Sequence, residues 1–556
     1  MPSDNGQQAT ITINGKELPF TEGQTILQVA LDNEIEIPHY CYHPGLTIAA
    51  NCRICLAEVW APNPRNDNKL EPIPKLLPTC QQPAAAGQVV YTDSPKSIAN
   101  QKAVMEYLLI NHPVDCAVCD QAGECHLQDY SYQYGRGKAR FAEQKIKQPK
   151  KDLGPHVLLY SDRCIMCTRC VRFTREVTGT GELLVEGRGA MEQIDLFPGM
   201  ALDNELSANV IDICPVGALL DKDFLFQQRV WYLKKTPSID GITASGDNIS
   251  IEHNKGVIYR IKPRANLDVN RYWITDEVRY GWKFVHDENR LALPHIRSEE
   301  PYDASEAPLA YDAAYATINE QLKSANKIAV MISPMLSCED AYLLAQYVSQ
   351  HHPDATFAVG PVPFSGEDKT FKDGFKLYAE KAPNARGVRR VLEKFASGSV
   401  LDFGELTKAL TTDQTIDTVV MTGNYPSNWV TPHIMDAIGS ERFVILIDTL
   451  ATALSERADV VIPGATWAEK AGTFENANNR LQSFERAIEP LDYCKSESQI
   501  ALDLLAVFAG SSPQRFNAAN TRSMMARDHG LSEFVTDVQV PAGDEQVEPD
   551  MKLVEF

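Results

Sequence analysis

The chain has 556 residues, a net charge of −21, 44% hydrophobic and 23% charged residues. That length allows about three to five domains of ordinary globular composition. The acidic balance argues against nucleic acid or an anionic membrane surface as a direct partner, and no apolar run approaches a membrane span. The start, MPSDNGQQATITING, is polar and lacks the basic and apolar regions of a secretory signal, so a bacterial cytoplasm is the expected address. Eleven of the 13 cysteines fall between Cys41 and Cys214, leaving only Cys338 and Cys494 beyond. Cysteines crowded into C-x2-C pairs point to a reducing compartment and metal ligation rather than disulfides.

Residues 10–20, TITINGKELPF, alternate about Asn14-Gly15 and predict a hairpin. Thr25 to Asn33 carries a helical apolar face at Ile26, Val29 and Ala30. Strand, turn, strand, helix is the opening of a β-grasp ferredoxin. Cys41, Cys52, Cys55 and Cys80 follow as C-x10-C-x2-C-x24-C. The first gap is longer than in plant-type [2Fe–2S] loops, and Trp60 to Leu77 reads as a Pro- and Asn-rich insertion before Cys80. A C-x2-C with two outlying cysteines also suits zinc. Lys102 to Asn111 predicts a short amphipathic helix. It runs into His112, Cys116, Cys119 and Cys125, an H-x3-C-x2-C-x5-C set whose alternative is a zinc site of three cysteines and one histidine.

Cys164, Cys167 and Cys170 form C-x2-C-x2-C, and Cys214-Pro215 comes later. Three thiolates at this spacing with a distant Cys-Pro fit one [4Fe–4S]. Zinc is the alternative, but its usual form is two separated cysteine pairs. The positions a second ferredoxin cluster would use hold Thr174, Asn204, Ser207 and Val210, so one cluster of the usual two is kept. Gly179 to Gly189 is glycine-rich but follows no strand and opens no helix, so it is no dinucleotide site.

HPVDCAVCDQAGECHLQD and CIMCTRCVRFTREV resemble the large iron–sulfur subunit of respiratory complex I, over about residues 10–230. The resemblance implies a [2Fe–2S] on Cys41, Cys52, Cys55 and Cys80. It implies a [4Fe–4S] on His112, Cys116, Cys119 and Cys125, and another on Cys164, Cys167, Cys170 and Cys214. In that family and its molybdenum-enzyme relatives a further [4Fe–4S] often follows. Here Asp240, Thr243, Asp247 and Thr275 stand at the matching spacing, so the fold is expected without the metal.

From about residue 300 the pattern changes to repeated α/β units. Lys327–Pro334, Thr418–Asn424, Arg442–Asp448 and Asp459–Pro463 read as strands. Ala458 to Gln482 resembles the molybdopterin oxidoreductases, which implies a shortened, Rossmann-like member of that superfamily. No molybdenum ligand is evident, and Cys338 reads as structural. The tail from Val540 is acidic and expected to be mobile.

The expected fold class is therefore mixed α/β and α+β in five parts. These are a β-grasp [2Fe–2S] domain (1–95), a His-ligated [4Fe–4S] module (96–150) and a ferredoxin-like [4Fe–4S] module (151–227). A ligand-free β region (228–298) and a molybdopterin-oxidoreductase-like α/β domain (299–556) complete it. By resemblance the chain is an electron-transfer subunit of NADH:quinone oxidoreductase with no active site of its own. Its implied partners are a flavin- and NADH-binding subunit and downstream iron–sulfur subunits, on the cytoplasmic side of the bacterial inner membrane. The alternative is a subunit of a NAD-linked formate dehydrogenase or a hydrogenase. Such a chain would keep the second ferredoxin cluster and add an active-site metal.

Overall fold

The structure is a computed structural model that describes residues 9–297 and 303–541. The polar start and all but the first two residues of the acidic tail lie outside the described residues. The chain divides into two compact units: 1–232 with 371–374, and 233–370 with 375–556.

In the first unit Thr10–Ile13 and Lys16–Pro19 form the expected hairpin. Asn14 and Gly15 take φ of 48° and 80° at its turn, the left-handed pair that a tight hairpin requires. Helix Ile26–Asp32 starts at Thr25, which caps it in a reciprocal box with Gln28. The sheet runs Lys16–Pro19, Thr10–Ile13, Val89–Tyr91, Leu56–Asn63, Lys69–Pro72. Thr10–Ile13 and Val89–Tyr91 are parallel. Ile13, Ile26, Val29, Val59 and Val90 close the core between this sheet and the helix, each burial contributing about 1.5–3 kcal/mol.

Two expectations change. Trp60 to Leu77 is not an irregular insertion, because Trp60–Asn63 pairs with Lys69–Pro72 as a hairpin that lengthens the sheet. Ladder hydrogen bonds override the poor strand propensity of Pro and Asn there. The helix expected from Lys102 begins at Pro95, where Ser94 accepts from Ser97 N and proline occupies the first turn. The rest of the unit is built around Val157–Tyr160, which pairs antiparallel with Lys150–Asp152 and Leu219–Asp221. Gly179–Gly189 contains a strand, Leu183–Glu186, hairpinned with Gln193–Leu196.

The second unit opens on an antiparallel sheet of Lys234–Ile239, Asn248–Asn254 and Val257–Pro263. A six-stranded sheet follows, in the order His295–Ile296, Val460–Pro463, Phe443–Asp448, Thr418–Thr422, Ile328–Ile332, Thr356–Val359. All but His295–Ile296 run parallel. Every residue of Ile328–Ile332 is buried, as parallel strands covered on both faces require. Its largest core joins that strand to helices Ala307–Ser324, Cys338–His351 and Glu497–Ala509. Among the described residues no helix is long and apolar enough to cross a membrane.

Candidate metal centres

All twelve sequence-predicted ligands lie in the first unit, and the fold gathers them into three sites. In the first, Cys41, Cys55 and Cys80 are buried and Cys52 is half-buried. Ala50 and Arg53 take left-handed φ of 49° and 60°, which curls the loop so that the N–H groups of Asn51 and Cys52 donate to Cys41. The thiols also bond one another. Contacts with Cys52 and Cys80 pull Cys41 down, and the contact with Cys41 pushes Cys52 and Cys80 up. Cys55, bonded to Cys80, is lowered to about 7. Thr79 fixes the far side by donating through Oγ1 to the Cys55 carbonyl at 3.0 Å.

In the second site His112, Cys116, Cys119 and Cys125 line one pocket of about 290 Å³. Cys125 is the N-cap of helix His126–Tyr134. The N–H groups of Leu127 and Gln128 at this terminus favour its thiolate form, as partial positive charge at a helix start does. Burial nevertheless pushes Cys125 up to about 11 and raises Cys119. Burial lowers His112 to about 4, so its ring is neutral at physiological pH. Its Nδ1 is buried without a hydrogen-bond partner. A neutral imidazole with a buried unpartnered nitrogen, in a pocket that three cysteines also line, suits a metal ligand.

Cys164, Cys167, Cys170 and Cys214 line the third pocket, of about 350 Å³. Met166 and Thr168 take φ of 54° and 61°, and Met166 N donates to Cys164 Sγ at 3.4 Å. The N–H groups of Val216, Ala218 and Leu219 point at Cys214. Burial drives all four thiols upward, Cys167 to about 11. Four buried thiolates are therefore tenable only around a cationic core.

The third site lies between the other two. Arg169 donates to the carbonyls of Tyr42 at 2.6 Å and Ile213 at 3.1 Å. Arg172 donates to the carbonyls of Cys41 at 2.5 Å and Cys167 at 3.3 Å. Toward the second site, Pro215 O accepts from His126 N at 3.1 Å, and Arg163 bonds Gly217 O and the Asp115 carboxylate. Arg169 and Arg172 are only 6% and 9% exposed. Among the described residues neither pairs with Asp or Glu. Two buried cations held by carbonyls alone are well suited to an anionic group beside them, and thiolate-ligated iron–sulfur clusters would be such a group. Sequence reasoning passed over these arginines; their signal is a basic residue set among the ligands in RCIMCTRCVRF.

Gly217 was also missed. A Cβ there would lie 2.2 Å from Cys119 Sγ and 3.1 Å from Gln121 Cβ, so the third site's backbone passes too close for any side chain. Gly217→Ala is expected to displace Cys119 and cut bound iron by about four atoms per chain, read by iron analysis of anaerobically purified protein.

The expected vacancies are filled by protein. Thr174 Oγ1 donates to Val171 O at 3.1 Å, Asn204 to Glu182 at 2.8 Å, and Ser207 and Val210 are buried. In the second unit Asp240 accepts from Ile242 N at 2.7 Å, Thr243 N at 3.1 Å and Ser245 Oγ at 2.9 Å, and from the Thr243 hydroxyl. Thr275 caps helix Asp276–Tyr280. Oxygen donors committed to one another in this way do not fit a thiolate-selecting iron–sulfur core.

Burial raises Asp240 to about 6, from an ordinary 3.8, and raises Asp247 with help from the Asp240 charge. A carboxyl that holds its proton more tightly when folded stabilises the fold at low pH and loses that contribution as pH rises toward 6. Asp240→Asn is expected to flatten the fall in stability between about pH 4 and 6, by about 2–3 kcal/mol. Urea titrations followed by tryptophan fluorescence would read this, since Trp273, Trp282, Trp429 and Trp467 lie in that unit.

The carboxyl ends of the parallel strands, where ligands of open α/β sheets bind, are closed by their own side chains. Asp448 accepts from Asn424 N at 2.8 Å, Thr449 N at 2.7 Å and Trp429 Nε1 at 3.0 Å. Tyr425 OH donates to Pro361 O at 2.8 Å. These residues do not fit a pterin cofactor. Cys338 is buried and bonds Asn384 at 3.4 Å.

Family models match along the chain. They are a 2Fe-2S iron-sulfur cluster binding domain at 6–95, an NADH-ubiquinone oxidoreductase-G iron-sulfur binding region at 101–140, and an NADH-quinone oxidoreductase subunit 3 ferredoxin-like domain at 154–220. An NADH-ubiquinone oxidoreductase NDSU1/NuoG-like 4Fe-4S domain matches 233–283, and molybdopterin oxidoreductase matches 408–507. The chain is thus an iron–sulfur protein with 2Fe-2S and 4Fe-4S ferredoxin-type domains joined to a molybdopterin-oxidoreductase-type domain.

An NADH-quinone oxidoreductase subunit of Rickettsia felis is 39% identical over 60% of this chain and 48% of its own length. The mitochondrial NADH-ubiquinone oxidoreductase 78 kDa subunit of Neurospora crassa is 41% identical over 59% of this chain and 43% of its own. Over that part the chain is similar to these NADH-quinone and NADH-ubiquinone oxidoreductase subunits. It spans about half the length of the curated relatives it matches. A solved NAD+-reducing [NiFe]-hydrogenase chain is 28% identical over 40% of this chain and 92% of its own, with a TM-score of 0.35.

Proposed function

We propose that this chain relays electrons within an NADH:quinone oxidoreductase, between a flavin- and NADH-binding subunit and downstream iron–sulfur subunits. The observation that carries the reading is the contiguity of the three ligand sites. Arg169 and Arg172 touch the first and third, while Gly217 and Pro215 bring the third against the second. The proposed ligands are Cys41, Cys52, Cys55 and Cys80 for a [2Fe–2S]. Those for the two [4Fe–4S] are His112, Cys116, Cys119, Cys125 and Cys164, Cys167, Cys170, Cys214. Bound there, the clusters supply one-electron transfer. The protein's own part is to hold them at fixed spacing, exclude water from the buried thiolates, and aim backbone N–H groups at sulfur.

The domain limits at 95, 150, 227 and 298 and the Rossmann-like character of the parallel sheet belong to the same reading. So does attachment to the cytoplasmic side of the inner membrane through other subunits. Residues 228–556 are taken to bind neither cluster nor molybdenum, and residues 300–556 to serve as scaffold. Iron and acid-labile sulfide on anaerobically purified protein test the proposal, with about ten of the former expected per chain. Stoichiometric zinc, or cubane absorption from a fragment of residues 228–556, would overturn it.

A further inference from the structure

Helix Arg169–Phe173 sets Arg169 and Arg172 at an i, i+3 spacing, on one face between two ligand sets. Each guanidinium spans the gap. Arg169 reaches the carbonyl beside Cys41 and the one beside Cys214, and Arg172 reaches the carbonyls of Cys41 and Cys167 and that of Thr47. Arg169 is also in Coulombic reach of Cys41, Cys167 and Cys214, that is, of thiols from both sets. The Nε of each arginine is buried without a partner. Hydrogen bonding alone would be served by a neutral donor. Retaining two charged groups here, with no carboxylate partner among the described residues, costs desolvation that anionic neighbours would offset.

We propose that Arg169 and Arg172 are positioning residues forming one cationic bridge, which sets the reduction potentials of the first and third sites jointly as well as their spacing. A fixed positive charge favours the more negative, reduced state of any centre near it. Placed between two centres in a poorly screened interior, it favours that state in both. Neither arginine hydrogen-bonds a second-site residue among the described residues, and Arg163 on the other side of the third site pairs with Asp115. Arg169 reaches that side only through His126 beside Cys125, so a smaller effect is expected at the second site. The inference rests on the ligand sets proposed above. Iron and sulfide content of the unmutated chain separates a failure of that assignment from a failure of this one.

The test is a potentiometric titration of the paramagnetic signals of the full chain carrying Arg169→Gln or Arg172→Gln. Both the first- and third-site signals are expected to move to lower potential together, with a smaller shift at the His112 site. The lysine variants, which keep the charge and lose the planar fork, are expected to lie near the unmutated values. Movement of one signal alone, or of neither, would overturn the bridge. If the glutamine variants lose iron, the lysine variants decide. Full iron with near-native potentials supports the charge, whereas iron loss in them too reduces the arginines to hydrogen-bonding struts and overturns the proposal.

Discussion

His112→Ala is expected to strip the second site of its cluster, lowering iron by about four atoms per chain, whereas His112→Cys keeps the metal and lowers its potential. The ring is mostly buried and neutral, its Nδ1 has no partner, and it lines the same pocket as Cys116, Cys119 and Cys125. Alanine removes that donor and leaves three cysteines, of which Cys116 is exposed. Cysteine restores four ligands but adds a negative charge, which disfavours reduction. Histidine-for-cysteine replacement raises potentials in Rieske centres, and the reverse change has the opposite sign. Redox titration of the site's signal in both variants is the check. An alanine variant with native iron and potential would show that His112 is no ligand.

Lys470→Met is expected to destabilise the second unit by about 3–5 kcal/mol, the cost of breaking a buried charge network from one side. Lys470 is 3% exposed and contacts both Asp340, at 2.9 Å, and Glu497. Burial raises Glu497 to about 7 and the Lys470 charge opposes that rise. Asp340 is held below its usual range by Lys470 and by hydrogen bonds from Ser498 and Ser337, despite burial. The two acids sit at the starts of helices Cys338–His351 and Glu497–Ala509, so the lysine ties two helix N-termini together. Urea unfolding should show the loss, and adding Glu497→Gln should recover part of it by removing one stranded charge. A Lys470→Met protein with unchanged midpoint would mean the network contributes nothing.

Ligand spacing was legible where it is local, as in Cys52–Cys55, Cys116–Cys125 and Cys164–Cys170, whereas Cys80 and Cys214 join their sets from far along the chain. Strands of one composition were equally plain, as in Ile328–Ile332 and Phe443–Asp448. The hairpin at Trp60–Pro72 was not, since its pairing owes more to ladder bonds than to residue preference. Nor could spacing place the three sites in space. Contacts such as Arg169 to Tyr42 and Gly217 against Cys119 join residues roughly a hundred or more positions apart, and no periodicity encodes them. Helix Ala307–Ser324 was overlooked because small alanines at Ala307, Ala310 and Ala314 carry its buried stripe with Tyr311 and Ile318.

The oxygen-donor web around Asp240 has a consequence for how the chain is made. Wherever a cluster completes a core, a newly synthesised polypeptide waits on iron delivery before it is native there. The second unit has internal hydrogen bonds at the corresponding position, so under the function proposed above it would not wait on that supply. Under iron starvation the two units would part company in quality control, with residues up to about 232 exposed to proteases while the remainder survives as a resistant fragment.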